Sequence, residues 1–378
     1  MPVTEVLPDD AALRVARRGR VLAEMDAAGV DVLVLGREAN ARYVAGAPRL
    51  WLAGSRPFGV GCVLVRSSGA VHLLSTWDEG IPDDIPHEHL YGISFNSANF
   101  LAVLQGIEGA ASVGVVATDA LTPSSARFLP KAFPSAEIVD GEQLMRRART
   151  VKLPEEVAAI RTSVRIAEQA LAAAETALVP GVTERQLTGV FMEAMAAAGV
   201  TTPASQDVAW ITSRRHPWQR TGRDVPVAAG DLVAFEAGVI EGGYVGEVGR
   251  TLALPGEEVP TGLWARWEEL WARLAAACRA GAPQTELLGA YEEAGVAPPP
   301  MPVARGLGLG YDVPVVTHAL ARTAAEQHLE EGMVLALTAF VWQEGVGAVY
   351  GQEPVLVTAA GPELLSTHPF REARSPAA

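Results

Sequence analysis

The stretch from Gly230 to Thr251, GDLVAFEAGVIEGGYVGEVGRT, constrains the fold more than any other part of the sequence. It predicts two consecutive apolar strands joined by a glycine-rich turn, with Glu236 on the first strand and Glu247 on the second. Apolar residues flank both glutamates, as in strands that are buried on both faces. Because a carboxylate removed from water needs a partner, we expect Glu236 and Glu247 to be buried and paired. The alternative is that both glutamates face solvent.

The pattern of the rest of the chain divides it into two regions. Over residues 1–150, helical segments alternate with short apolar runs, for example a helix that stops at Gly29 before DVLVLG, and this predicts an α/β domain. Over residues 151–378, a long Ala-rich helix is followed by one that begins at Thr183, with Gln186 at capping-box spacing. Runs of strands then follow, with helices set apart from them, which predicts an α+β second domain.

Composition and charge exclude several classes of function. The chain has 378 residues, of which 49% are apolar, enough for a large core. Its net charge of −14 disfavours nucleic acid as a partner, because Lys and Arg must neutralise the phosphates. Cys62 and Cys278 are too few for a disulfide framework, so we expect a reduced, cytoplasmic setting. No apolar run reaches the roughly 18 residues of a membrane span, so we expect neither export nor a membrane partner.

Segments along almost the whole chain occur in an order known from one family. RVLAEMDAAGVDVLVLGREANARYVAGA and RARTVKLPEEVAAIR come first, followed by LVPGVTERQL, GDLVAFEAG, GRTLAL, EGMVLAL and PVLVTAAGPELLS. These segments resemble the creatinase, prolidase and aminopeptidase P family. The resemblance implies a creatinase-like N-terminal domain over residues 1–150 and a catalytic-type domain of pita-bread fold, an α+β architecture, over residues 151–378. It also implies a homodimer that acts on a small-molecule substrate.

Other residues stand at the positions where the family binds metal. Its metal-dependent members hold two divalent ions with two aspartates, a histidine and two glutamates. By resemblance, these five positions correspond in order to Glu236, Glu247, Arg305, Thr338 and Gln352. Thr and Gln are neutral, and arginine stays protonated without a lone pair for a metal. We therefore expect no metal and no other cofactor, although a single ion bound by the two glutamates and water is an alternative.

The same correspondence predicts where the Arg305 side chain lies. Two carboxylates that share a pocket without a cation would repel each other, and one would take up a proton. We expect the Arg305 guanidinium to occupy roughly the place of the lost metals and to donate hydrogen bonds to Glu236, Glu247 or both.

Further candidate residues follow from the resemblance. His216 lies in the loop where related enzymes carry a histidine near the scissile bond, and in metal-free creatinase-type members such a histidine is the acid and base. Tyr311 is a candidate donor to a developing oxyanion, or else only lines the wall. The predicted substrate-binding residues are Arg250, Asp312, Thr338, Gln352 and Trp218. The alternatives are a loop histidine without a chemical role, and a salt bridge in which Arg250 holds its strand.

Three functions fit these observations. The first is a metal-independent, creatinase-like enzyme that hydrolyses or eliminates at a C–N or similar polar bond of a small metabolite. The second is a non-catalytic binding protein, and the third is a divergent metal-dependent aminopeptidase P or dipeptidase. Charged residues at three of the five ligand positions favour the first function over the second, because a relaxed pocket would fill with apolar residues.

Overall fold

The computed structural model describes residues 10–47, 61–75, 80–91, 98–205, 208–220, 224–254, 257, 260–320 and 327–370. The chain divides into two compact units, Met1–Arg149 and Thr150–Ala378. Of the helices in the described residues, none combines the length and the apolar character that crossing a bilayer requires.

The N-terminal unit is built on a mixed six-stranded sheet with strand order β4-β3-β2-β1-β5-β6. Its strands are β1 (Val32–Leu35), β2 (Cys62–Val65), β3 (Val71–Leu74), β4 (Leu90–Tyr91), β5 (Val115–Asp119) and β6 (Glu137–Asp140). Its helices are α1 (Asp10–Ala27), α2 (Glu38–Ala45), α3 (Ala98–Gly106), α4 (Pro123–Ala126), α5 (Leu129–Ala132) and α6 (Glu142–Thr150). Strand β1 pairs with β2 on one side and β5 on the other, and all four of its residues are buried, as its apolar run VLVL requires.

Local sequence signals explain how several of these elements end. Helix α1 stops before Gly29, which adopts a φ of +65°, and β2 and β3 form the hairpin that the SSG turn predicts. The segment TPSSARFLPKAF predicts one helix, but two short helices, α4 and α5, are present instead. Pro130 lies in the first turn of α5 and has no N–H with which to continue the preceding helix.

In its described residues, the C-terminal unit contains an eight-stranded sheet and four α-helices. Its strands are β7 (Ala209–Ile211), β8 (Leu232–Glu241), β9 (Tyr244–Ala253), β10 (Ala304–Gly308), β11 (Gly310–Val316), β12 (Val334–Gln343), β13 (Gly347–Thr358) and β14 (Gly361–Leu364). The strand order is β11-β10-β12-β13-β9-β8-β7, with β14 paired to β13. The helices are α7 (Pro154–Thr176), α8 (Glu184–Ala197), α9 (Thr261–Ala277) and α10 (Thr285–Glu293).

The predicted hairpin and the predicted helix cap are both present. Strands β8 and β9 pair in antiparallel register through a two-residue turn, and Gly242 and Gly243 have φ values of +55° and +90°, as such a turn requires. At the start of α8, the Thr183 hydroxyl accepts a hydrogen bond from the Gln186 N–H, and the Gln186 side chain accepts one from the Thr183 N–H. These contacts confirm the capping box.

The two faces of the eight-stranded sheet differ in what covers them. Helices α7 and α9 pack on one face, called here the helix face: Gly246 of β9 lies against the backbone of Ser163, and Trp267 donates to the carbonyl of Ala339. The other face, called here the site face, carries Glu236 and Glu247. Because side chains alternate between faces along a strand, residue parity assigns each side chain to one face or the other.

Candidate active site on the site face of the sheet

Arg305 lies between the two glutamates on the site face. Its Nε donates to Glu247 Oε1 at 2.9 Å, and its Nη2 donates to Glu247 Oε2 at 2.8 Å and to Glu236 Oε1 at 3.1 Å. The Glu247 side chain is fully buried, whereas those of Arg305 and Glu236 are each 19% exposed. The contact predicted from the sequence is therefore present, as a bidentate pair with Glu247 and a single bond to Glu236.

Two polar groups of this cluster have no partner among the described residues. Arg305 uses Nε and Nη2, so its Nη1 keeps its N–H groups uncommitted, and Glu236 Oε2 accepts no hydrogen bond. Both side chains are partly exposed. The cluster therefore presents a hydrogen-bond donor beside an acceptor.

Burial and charge shift the pKa values of the cluster in opposing ways. Burial raises the pKa of Glu247, and the Arg305 guanidinium and the Tyr311 hydroxyl counteract part of that shift. Burial alone would lower the pKa of Arg305, but the charge of Glu247 and its hydrogen bonds outweigh this effect, and the net pKa is raised. Arg305 therefore stays a fixed cation at every pH at which the protein works.

Tyr311 joins the cluster from β11. Its ring lies under the Arg305 guanidinium, with 4.6 Å between the guanidinium carbon and the ring centroid, and its hydroxyl donates to Glu247 Oε2 at 3.3 Å. The residue is 49% exposed, and burial of its hydroxyl raises its pKa. The phenol is thus a neutral donor that orients Glu247 and remains accessible.

Thr338 and Gln352 form a neutral row beside Glu236. Gln352 pairs with Thr338 on one side and with Gly249 on the other, and Gly249 in turn pairs with Glu236. The amide of Gln352 donates to the Thr338 hydroxyl at 3.2 Å. Gly249 allows this close packing, since a Cβ there would lie 2.7 Å from Gln352 Cβ.

An aromatic row borders the neutral row, two residues further along each strand. Trp210 pairs with Ala234 on β8, and Phe340 pairs with Tyr350 across β12 and β13. The rings of Trp210 and Tyr350 have centroids 5.3 Å apart. In the described part of the chain, the buried Tyr350 hydroxyl has no hydrogen-bond partner. Sequence reasoning missed this row, because it depends on register across five strands, β7, β8, β9, β13 and β12.

Two family models match the chain. The model of metallopeptidase family M24 matches residues 158–359, more than half of the chain, and the creatinase/prolidase N-terminal domain model matches residues 17–151. The chain belongs to metallopeptidase family M24.

Individual relatives agree with this assignment. The putative dipeptidase YkvY of Bacillus subtilis (strain 168) is 23% identical over 265 residues, which cover 67% of this chain and 70% of that protein. The Xaa-Pro dipeptidase from Bacillus anthracis superposes with a TM-score of 0.76 at 18% identity, covering 95% of this chain and 99% of that one. The prolidase from Pyrococcus horikoshii OT3 gives a TM-score of 0.72 at 18% identity, covering 96% and 99%. These likenesses establish the pita-bread fold that the sequence predicts.

The family's name raises the question of whether this site fits a pair of divalent cations. In the described residues, no three His, Cys, Asp or Glu side chains come together in a metal-binding arrangement. A dinuclear site needs several anionic or imidazole ligands, but here a guanidinium lies between the two carboxylates, beside neutral Thr338 and Gln352. These side chains do not fit two divalent cations.

The position of Arg250 corrects the prediction that this residue binds substrate. It lies on the helix face, since it is three residues from Glu247, and it is only 1% exposed. Its Nη2 contacts Glu353 Oε1 at 2.6 Å, and its other bonds go to backbone carbonyls, including that of Pro369. Arg250 is therefore a structural residue, as the salt-bridge alternative holds, and the prediction that it contacts substrate is wrong.

Asp312 is also engaged within the protein. Its carboxylate accepts from Lys152 Nζ at 3.1 Å, and both side chains are largely buried, at 9% and 1% exposure. This ion pair joins β11 to the start of the C-terminal unit. A role for Asp312 in substrate binding stays a prediction.

His216 lies in the exposed loop after β7 and does not contact the cluster. Its Nδ1 accepts from the N–H of Trp218, and its own N–H donates to Ser213 Oγ; in the described chain, no hydrogen bond joins it to Glu236, Glu247 or Arg305. The Trp218 ring packs at a tilt against Phe340, with centroids 5.2 Å apart. The loop therefore lies over the aromatic row, and a catalytic role for His216 stays a prediction.

Proposed function

We propose that this chain is a metal-independent, creatinase-like enzyme that hydrolyses or eliminates at a C–N or similar polar bond of a small molecule. The observation that carries the proposal is the position of Arg305, held between Glu236 and Glu247 with Nη1 uncommitted. A preorganised guanidinium stabilises negative charge that develops on a carbonyl oxygen, which is work that a metal ion otherwise does.

The donor and acceptor of the cluster match the two ends of an amide. The carbonyl oxygen accepts from Arg305 Nη1, and the N–H of the same bond, or an attacking water, donates to Glu236 Oε2. In hydrolysis, the water oxygen bonds to the carbonyl carbon while Glu236 takes the water proton. Glu236 then returns that proton to the leaving nitrogen as the C–N bond breaks.

The roles of the remaining groups follow from their contacts. Glu247 and Tyr311 fix the guanidinium in place and do not touch the substrate atoms that react. Thr338 and Gln352 supply neutral polar contacts beside Glu236. His216, the acid and base that the resemblance implies, is the competing candidate for proton transfer.

Two other functions remain in competition. The names of relatives, a putative dipeptidase and an Xaa-Pro dipeptidase, favour a divergent metal-dependent dipeptidase or aminopeptidase P. The near-complete pairing of the charged cluster favours a non-catalytic binding protein. The proposed enzyme is further predicted to be a cytoplasmic homodimer.

Turnover without metal is the decisive test of the proposed enzyme. The purified protein is analysed for Mn, Zn, Co and Fe, treated with a chelator and assayed on dipeptides, Xaa-Pro dipeptides and small N-acyl amides. We expect C–N bond cleavage that survives the chelator and is lost in Arg305→Met and Glu236→Gln. Two bound ions per chain, with cleavage only after metal is restored, would establish the dipeptidase. Arg305→His serves as a further control, since it should not create metal-dependent cleavage while Thr338 and Gln352 stay neutral.

His216→Ala separates the two candidates for proton transfer. The residue is exposed, so the substitution should leave the free energy of unfolding within about 0.5 kcal/mol of the wild type. If His216 is the acid and base, as the resemblance predicts, turnover of the same substrate is abolished. Turnover at the wild-type rate would contradict that prediction and leave Glu236 as the proton-transfer group.

A further inference from the structure

The site face carries three successive rows of side chains whose chemistry changes from row to row. The first row contains Glu247 and Arg305, and the second contains Glu236 with Gln352 and Thr338. The third is the aromatic row of Trp210, Tyr350 and Phe340. Neighbouring rows are two residues apart along each strand, which corresponds to about 7 Å.

Trp218 adds an exposed ring to the aromatic row. It is 39% exposed although it packs against Phe340, which is only 6% exposed. Its backbone N–H is bound by His216, and the carbonyl of Ser213 in the same loop accepts from Trp342 Nε1 at 2.7 Å. The bond from Trp342 holds the loop against the sheet, and the bond to His216 fixes the loop backbone at Trp218, so the exposed Trp218 ring has a defined place beside Phe340.

The charge of the cluster limits what can bind beside this ring. Two carboxylates, Glu236 and Glu247, contact the guanidinium of Arg305, so an anionic group placed directly beside Glu236 would be repelled. A further cation, Arg220, lies over the Trp210 ring of the aromatic row, with its guanidinium carbon 4.1 Å from the ring centroid. A neutral amide suits the uncommitted Arg305 Nη1 and Glu236 Oε2. A ring joined to that amide directly or through one or two carbons would reach the aromatic row about 7 Å away.

We propose that the exposed ring of Trp218, backed by Phe340 of the aromatic row, forms a subsite for a flat ring, and that the substrates are neutral aromatic or heteroaromatic carboxamides. This inference rests on the proposed function for its choice of an amide. Aromatic rings prefer offset-stacked or edge-to-face contacts with other rings, and such contacts add to binding beyond the area buried. A saturated ring of equal size lacks this contribution.

Calorimetric binding of matched probes tests the subsite without requiring turnover. The probes are benzamide, cyclohexanecarboxamide, acetamide and benzoate, titrated into the full-length protein. We expect benzamide to bind about fivefold more tightly than cyclohexanecarboxamide, and acetamide and benzoate to bind more weakly than either. Trp218→Leu should weaken benzamide about fivefold and leave acetamide unchanged. Val179→Ala, at an exposed apolar residue outside the site, should change neither.

Three results would contradict the proposed subsite. Equal affinity for the two rings, unchanged benzamide binding in Trp218→Leu, or no benzamide binding at all would overturn the subsite. Phe340→Leu gives a second measurement, because it removes the ring beneath Trp218 and should reduce the preference for benzamide over cyclohexanecarboxamide. Ring binding without C–N cleavage would retain the subsite and overturn the proposed enzyme. Cleavage of acyl amides with no preference for a ring would overturn the subsite and retain the proposed enzyme.

Discussion

Two arginines that each pair with a buried glutamate lie on opposite faces of the same sheet and use their donors differently. Arg250, on the helix face, places all three of its nitrogens on Glu353 or on backbone carbonyls, and its side chain has no exposed surface. Arg305, on the site face, holds two glutamates and keeps Nη1 uncommitted beside solvent. A guanidinium whose donors are all used within the protein stabilises the fold, whereas one with a free N–H donor can also bind a ligand.

The partners of Arg250 make its replacement the most destabilising change. Arg250→Met would leave the Glu353 carboxylate buried without a cation, and the carbonyls of His368 and Pro369 without donors. We expect a loss of about 3–5 kcal/mol in the free energy of unfolding, measured by urea denaturation. Arg273→Met removes ion pairs that are exposed and screened by solvent, so its cost should be much smaller. Equal losses in the two variants would refute the contrast between buried and exposed pairs.

Arg305→Met should be the next largest change and should depend on pH. It leaves Glu247 buried without its guanidinium, at a cost of about 3 kcal/mol near neutral pH. Burial already raises the pKa of Glu247, and losing Arg305 removes the opposing interaction. When a carboxyl group has a higher pKa in the folded than in the unfolded protein, its contribution to folding stability is fully present below the unfolded-state pKa. That contribution is lost as the pH rises through the folded-state pKa. The deficit should therefore be smaller at acidic than at alkaline pH in denaturation experiments, and a deficit independent of pH would contradict this reasoning.

His368 gives the smallest effect, on the helix face. Its hydrogen bond with Glu175, at 3.0 Å, raises the pKa of the imidazole. A raised histidine pKa stabilises the fold fully below the ordinary value and loses that contribution as the pH rises through the folded value. We expect His368→Gln to cost about 1 kcal/mol in mildly acidic buffer and less in alkaline buffer. A cost that grows with pH would show that the imidazole binds as a neutral group.

The sequence predicted the fold and the central contact because both depend on local patterns or on ordered motifs. The hairpin that carries Glu236 and Glu247 follows from two nearly continuous apolar runs and a Gly-Gly turn. The contact with Arg305 follows from the resemblance together with the need of two carboxylates for a cation.

The prediction for Arg250 was wrong because closeness to Glu247 in the sequence does not place two side chains on the same face of a strand. Glu247 and Arg250 are three residues apart in one strand, so their side chains point to opposite faces. Counting parity along β9 would have placed Arg250 on the helix face.

The aromatic row lies beyond what a single sequence can predict. Trp210 comes from a segment that is distant along the chain from Phe340 and Tyr350, and its strand β7 is aligned with β12 and β13 only through the intervening strands β8 and β9. No local pattern fixes that register. The exposed Trp218 depends in addition on the bonds that hold its loop.

The contacts of Arg250 also affect the order in which the chain can assemble during synthesis. The side chains and carbonyls that neutralise and cover this cation come from residues as late as Phe370, whose ring lies 4.4 Å from the guanidinium and 4.6 Å from Trp267. A ribosome makes these residues long after it has made β9. During synthesis, Arg250 therefore lacks its counter-ion until Glu353 has been made, and it lacks its carbonyl and ring contacts until residues 368–370 follow, while the N-terminal unit can fold before then.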